Sequence, residues 1–300
     1  MTGPTERAAL PVPFLQPGAE VRVIAPSSAF NVEDLQHGLT LLARRYSVSH
    51  APSLFDRQGY LAGSDDRRLA ELQGAIDDPA VSAIFPARGG YGATRLLDAL
   101  DLRALQARPK LLVGFSDITA LHARWTQCGI GSVHGPMVAA LGRAGEAQLE
   151  RVIEAVEGRG VRVLEGLRPL SPGRARGPLL GGNLAVLCSL LGTPFMPDLR
   201  GAVLLLEDVG ERPYRLDRML TSLRSSGALR SVAGVLLGAF TNAEPGPDGT
   251  TAELVLTERL GSLGVPVLAG APVGHVDDNT PVPLGALVEL DAGSGVARFC

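Results

Sequence analysis

A chain of 300 residues with 45% apolar side chains exceeds what one ordinary core organises, so two medium domains are expected. Its 28 basic and 31 acidic residues leave a net charge of -3, which provides no field to draw nucleic acid or an acidic membrane. Cys128, Cys188 and Cys300 are odd in number and form no CxxC pair, which argues against a disulfide framework or a structural zinc.

Along the chain, MTGPTERAALPVPFLQPG lacks the apolar stretch of a signal peptide. No later run reaches the roughly eighteen apolar residues of a membrane span. A soluble cytoplasmic protein is expected. From Val21 short apolar runs alternate with amphipathic segments, the pattern of a parallel sheet covered by helices. VRVIAP, SVSHA, SAIFPA, LLVGF and GSVHG read as strands; VEDLQHGLTLLARRY, DDRRLAELQGAID, YGATRLLDAL and DITALHARWTQ read as the helices between them. After a helix near Glu146 to Glu157, VRVLEGLRPLSPGRARGPLL breaks the alternation with prolines, glycines and arginines, and reads as a linker. A second α/β region follows: GGNLAVLCSLLG (helix), AVLLLE (strand), PYRLDRMLTSLRSSG (helix), VAGVLLGAF (strand), TAELVLTERLGSLG (helix), VPVLAGA (strand) and ALVELDA (strand).

Four places on this pattern carry chemistry. Ser116, in LLVGFSDITALHARW, stands at a strand-to-helix turn that can expose a hydroxyl above a parallel sheet, although a Ser-Asp pair there is also ordinary helix capping. The elbow pattern GxSx is present as Gly114, Phe115, Ser116 and Asp117, with Ile118 where a glycine would follow. The ARGGYG loop, Ala87 to Gly92, can turn backbone N-H groups toward an anion, or can simply be a tight turn. Glu207 ends an apolar strand, and Asp208 should face the other way because side chains alternate. His275, in VPVLAGAPVGHVDDN, completes the chain order Ser, Glu, His; His134 is a rival base, and Asp277 and Asp278 with Glu207 also permit a metal reading. No ligand spacing supports the metal.

Taken together, GYLAGSDDRRLAEL, FPARGGYGATRLL, LLVGFSDITALH, HGP, GGNL, LLLEDVGERPYRLDRML and GAPVGHVDDN resemble, in that order, the LD-carboxypeptidase family of muramoyltetrapeptide carboxypeptidases and microcin C immunity peptidases. The resemblance implies an N-terminal flavodoxin-like or Rossmann-like domain (18-165), a linker (166-177) and a C-terminal swivelling-type α/β domain (178-300), with the site where the domains meet. It places a nucleophile at Ser116, its base at His275, an orienting carboxylate at Glu207, and oxyanion N-H donors at Gly90 and Asp117. It implies no metal and no cofactor. Arg88, beside the loop, is the candidate for a substrate carboxylate. The implied activity is that of a serine carboxypeptidase in peptidoglycan recycling, a cytoplasmic homodimer that hydrolyses the amide between an L-centre (diaminopimelate or lysine) and terminal D-alanine of murein tetrapeptides. A microcin-immunity-type peptidase acting on aminoacyl-nucleotide conjugates is the alternative. Against it, residues 141-180 contain no aromatic side chain to stack on a base, and the only tryptophan, Trp125, follows Ser116. A non-catalytic ligand-binding protein is the third reading.

Overall fold

Short strands, the central AIFP and LLVG apolar along their whole length as expected where both faces are covered, make the first sheet. In the computed structural model, which describes residues 7-300, they are β1 (Glu20–Ile24), β2 (Ser47–Ser49), β3 (Ala83–Pro86), β4 (Leu111–Gly114) and β5 (Ser132–His134). All pair in parallel, in the order β2-β1-β3-β4-β5. That is the flavodoxin-like order, in which ligands bind beyond the carboxyl ends of the strands at the β1/β3 switch point. A sixth strand, Val282–Leu284, lies beside β5.

The covering helices are α1 (Val32–Leu42), α2 (Asp65–Asp77), α3 (Arg103–Ala107), α4 (Thr119–Gln127), α5 (Val138–Ala144) and α6 (Glu146–Val156). Asn31 and Ser64 cap α1 and α2 by accepting from the N-H of Asp34 and Arg67, which satisfies donors that have no intrahelical partner. Two segments differ from the sequence reading. YGATRLLDAL forms a 3-10 helix over Ala93–Ala99, whose first N-H is held by a carboxylate from another element, Asp117. DITALHARWTQ opens as a 3-10 turn at Ser116–Ile118 before α4 begins. Helices α3 and α5 were not anticipated, being only five and seven residues long.

Backbone contacts divide the chain into two units. One holds Pro11–Gly160 with Pro281–Pro283, and the other holds Val161–Thr280 and Leu284–Cys300 with residues 7-10. The second unit is a mixed sheet of β6 (Val163–Leu164), β7 (Arg168–Ser171), β8 (Arg174–Asn183), β9 (Val203–Val209), β10 (Gly234–Thr241), β11 (Val267–Ala269), β13 (Leu287–Asp291) and β14 (Val296–Phe299), β12 being the strand at Val282–Leu284 already described. Its order is β6-β14-β13-β8-β9-β10-β11-β7. The central four, β8 to β11, run parallel, and antiparallel strands flank them. Helices α7 (Leu184–Ser189), α8 (Pro213–Ser225) and α9 (Ala252–Gly261) bury a leucine-rich core against the sheet that includes Leu204, Leu206, Leu216, Leu220 and Leu237.

The stretch 166-177, expected as a linker, is strand instead: it supplies β7 and the start of β8. Pro169 is tolerated because β7 is an edge strand that loses no interior ladder bond. Arg174 and Arg176 lie opposite Asp291 and Glu289 of β13 and pair with them at 2.7 and 3.1 Å. GGN of the expected helix GGNLAVLCSLLG likewise ends β8, and α7 starts only at Leu184, capped by Asn183. Among the described residues no helix is long and apolar enough to cross a membrane.

Candidate active site

Ser116 stands two residues past the end of β4, after Phe115, and adopts φ 62°, a left-handed conformation that a non-glycine residue holds only when its surroundings fix it. Such a turn lifts the side chain off the end of the strand. Gly89 of the neighbouring loop comes so close that a Cβ there would lie 3.2 Å from the Ser116 Cβ. Gly90 also has positive φ, 104°, and a Cβ on it would strike the Ser28 hydroxyl at 2.5 Å, so glycine is required twice over. The Ser28 hydroxyl accepts from Tyr91 N-H (3.1 Å), and Ser28 N-H donates to the Gly89 carbonyl (3.2 Å). The Gly90 N-H makes no hydrogen bond among the described residues. The Asp117 N-H lies in the first turn of a helix, where no intrahelical acceptor exists. Both donors are therefore available to an anion.

The elbow is tied down from behind by His122. Its imidazole, 2% exposed, donates from Nε2 to the Gly114 carbonyl (2.8 Å) and accepts at Nδ1 from the Ser132 hydroxyl (2.8 Å). That tautomer follows because a carbonyl can only accept. Burial pushes the His122 pKa down from 6.5 to about 4, against a smaller upward pull from the Gly114 carbonyl. The unfolded chain then binds a proton that the folded chain refuses between pH 6.5 and 4, so stability should rise with pH across that window. The full effect is on the order of 3 kcal/mol. Urea unfolding at pH 7 and pH 4.5 should show wild type losing more stability on acidification than His122→Gln; equal losses would show that His122 does not carry the effect.

In the other unit, Glu207 sits on β9 with no exposed side-chain surface, and its Oε2 lies 2.7 Å from His275 Nδ1. The distance fits an Nδ1-H donor, which leaves the Nε2 lone pair on a ring that is 22% exposed, the orientation a general base needs. Two glycines make room for this pair. Gly238 sits where the β9/β10 register shifts, between Leu237 and Phe240, and a Cβ there would overlap the Val273 carbonyl and lie 3.1 Å from Glu207 Cβ. Gly274, at φ 110°, would put a Cβ 2.5 Å from Glu207 Oε2. The His275 turn is itself stitched: Asn279 Oδ1 accepts from Gly274 N-H (2.9 Å) and the Thr241 hydroxyl donates to the His275 carbonyl (3.1 Å).

Asp208 points the other way, as alternation requires. It accepts from Asn183 Nδ2, Val209 N-H and Ala185 N-H at 3.0, 2.8 and 2.9 Å, so it anchors the start of α7. Burial raises its pKa, with those hydrogen bonds opposing. His134 has no exposed surface and packs its ring against His122 and Phe115, which removes it as a base in contact with substrate. Asp277 and Asp278 are exposed, and no group of three or more His, Cys, Asp or Glu among the described residues could hold a metal ion. Arg88 is exposed and donates from Nη1 to the Ala29 carbonyl at 2.6 Å; no carboxylate pairs with it among the described residues. Trp125 is fully buried and donates to the Lys110 carbonyl, a core residue and not a stacking platform. Sequence reasoning missed Ser27, Arg68, His122 and Asn279, whose roles depend on partners distant in the chain.

Two family models match the chain, the LD-carboxypeptidase N-terminal domain over residues 21-135 and the LD-carboxypeptidase C-terminal domain over residues 176-290. The chain belongs to the LD-carboxypeptidase family. It is 47% identical over 292 residues to a Streptomyces coelicolor protein that carries a provisional carboxypeptidase name, covering 94% of this chain and 93% of the relative. It is 34% identical to the murein tetrapeptide carboxypeptidase of Pseudomonas aeruginosa, covering 90% and 92% of the two chains. The solved muramoyltetrapeptide carboxypeptidase of Oxalobacter formigenes matches with a TM-score of 0.81 at 31% identity, over 94% and 98%. The microcin C7 self-immunity protein MccF matches at a TM-score of 0.87 over 97% and 98% but at 21% identity, a likeness of fold alone.

Proposed function

We propose that this enzyme is a serine carboxypeptidase that removes terminal D-alanine from murein tetrapeptides by cutting the amide after the L-centre of the preceding residue. The observation that carries the mechanism is the Glu207–His275 pair, a fully buried carboxylate 2.7 Å from Nδ1 of a partly exposed imidazole. In this reading Ser116 Oγ attacks the carbonyl carbon while His275 Nε2 takes the hydroxyl proton. Glu207 stabilises the imidazolium, and the N-H groups of Gly90 and Asp117 hold the oxyanion. His275 then protonates the leaving amine of D-alanine, and water repeats the sequence on the acyl-enzyme. Arg88 takes the terminal carboxylate, since part of its guanidinium fork is not used by Ala29. The substrate class comes from the Pseudomonas aeruginosa and Oxalobacter formigenes relatives. Peptidoglycan recycling in the cytoplasm, by a homodimer, is the setting this reading implies.

The test is D-alanine release from a muramoyl tetrapeptide. The N-H donors and the cation for the terminal carboxylate together fix the carbonyl and the leaving residue, so inverting a centre swings a side chain into the place of a hydrogen. The L,D bond should be cut at least a hundredfold faster than the L,L bond of the matching all-L peptide, a difference of about 3 kcal/mol. Equal rates on the two would leave a serine peptidase and remove the cell-wall substrate.

A further inference from the structure

The residue after the nucleophile has a second feature besides its N-H. The Asp117 carboxyl, 2% exposed, accepts at Oδ2 from the Ser27 hydroxyl (2.6 Å) and from the Ala93 N-H (2.8 Å). Ser27 lies just beyond β1, and Ala93 directly follows the glycine loop. Arg68 of α2, with no exposed surface, reaches the same two places. Its Nη1 donates to the Pro26 carbonyl and, at 2.9 Å, to the Gly92 carbonyl, while Nη2 pairs with Asp65. The peptide unit joining Gly92 to Ala93 is thus gripped on both sides, its oxygen by Arg68 and its nitrogen by Asp117. The same two side chains hold the end of β1, Arg68 through the Pro26 carbonyl and Asp117 through the Ser27 hydroxyl. With Ser28 holding Gly89 and Tyr91, the chain on each side of Gly90 is fixed and the Gly90 N-H is left over.

We propose that the Asp117 side chain, backed by Arg68, is a positioning device that sets the spacing between the Gly90 and Asp117 N-H donors. A loop that depended on glycines alone would be free to adopt many conformations, and an oxyanion hole works only when its donors are aimed in advance. Tying the Ala93 peptide to the residue that follows Ser116 makes loop and elbow one rigid body. The same anchor helps hold Ser116 at its positive φ. Burial raises the Asp117 pKa, opposed by the Ser27 hydroxyl, the Ala93 N-H and Arg68.

This inference rests on Ser116 being the nucleophile. Its test compares Asp117→Asn, Ser27→Ala and the double variant with wild type and Ser116→Ala. The readouts are kcat and KM for D-alanine release, the rate of Ser116 labelling by a small fluorophosphonate whose P=O oxygen occupies the same hole, and the thermal midpoint. Asp117→Asn should lower kcat and the labelling rate together by ten- to a hundredfold with KM changed less than threefold. Ser27→Ala should cost several-fold, and the double variant should be scarcely worse than Asp117→Asn because both act on one contact. A lowered thermal midpoint with wild-type kcat and labelling in the folded protein overturns the proposal and leaves a structural carboxylate. Should Asp117→Asn fail to fold, Ser27→Ala decides: unchanged kcat and labelling overturn the proposal. Full activity of Ser116→Ala would overturn the nucleophile assignment and this inference with it; inactive Ser116→Ala beside fully active Asp117 and Ser27 variants overturns this inference alone.

Discussion

Replacing Ser116 by alanine is expected to lower kcat for D-alanine release by roughly a thousandfold or more, about 4 kcal/mol of transition-state stabilisation, while the protein stays folded. The hydroxyl is the only atom removed, and the backbone at φ 62° is as strained for alanine as for serine. The Gly90 and Asp117 donors survive in the variant, so the residue of activity should be what oriented donors and binding alone provide. Ser116→Gly separates chemistry from strain. It should be just as inactive yet more stable, by about 1 kcal/mol, because glycine accepts positive φ without penalty. A variant that lost activity only in proportion to lost folded protein would contradict the assignment, as would Ser116→Ala with kcat within tenfold of wild type.

The strained serine marks the boundary of what the sequence made legible. Strands β1 to β5 of the first sheet could be read, AIFP and LLVG most plainly because they are apolar at each position, as strands covered on both faces are; Val282–Leu284, which joins the same sheet, could not. Ser116 was visible as a polar residue just past the LLVG run, Glu207 as the first charge after the apolar AVLLL, inside β9, and His275 as a polar residue in the loop after β11. The second sheet was harder. RARGPLLGGN reads as a break in the pattern, yet it is one ten-residue strand. Its first half takes its partner from β13, more than a hundred residues later, and its second half from β9. Local periodicity holds no record of either partner. Arginines that looked like solvated linker charges are cross-strand ion pairs with Asp291 and Glu289.

The anchors behind the site were hidden for the same reason. Arg68 and Asp65 sit in DDRRLAEL, which reads as an ordinary solvated helix start, and only the fold brings the Arg68 guanidinium to the carbonyls of Pro26 and Gly92. His122 lies on a helix face beside leucine and alanine, and nothing nearby in the chain announces that its partners are the Gly114 carbonyl and Ser132. A candidate site residue such as Ser116 stands out as a polar group just past an apolar strand. One that acts through the backbone of another loop does not.

The adjacent carboxylates on β9 should give opposite signatures. Glu207→Gln is expected to cut kcat by a hundred- to a thousandfold with little change in folding, because the isostere fits the same enclosed space but no longer stabilises a protonated His275 or fixes its tautomer. Asp208→Ala should do the reverse. It leaves the donors of Asn183, Val209 and Ala185 without their acceptor, at about 1 to 3 kcal/mol, while the folded fraction keeps kcat within a few-fold of wild type. Urea unfolding and steady-state kinetics on the same preparations separate the two effects. The contrast rests on one structural fact, that alternation along β9 sends Glu207 to His275 at 2.7 Å and Asp208 to the start of α7. An inactive but stable Asp208 variant beside an active Glu207 variant would mean that the imidazole takes its carboxylate from the other side of the strand during turnover, and the assignment of the orienting residue would have to be exchanged.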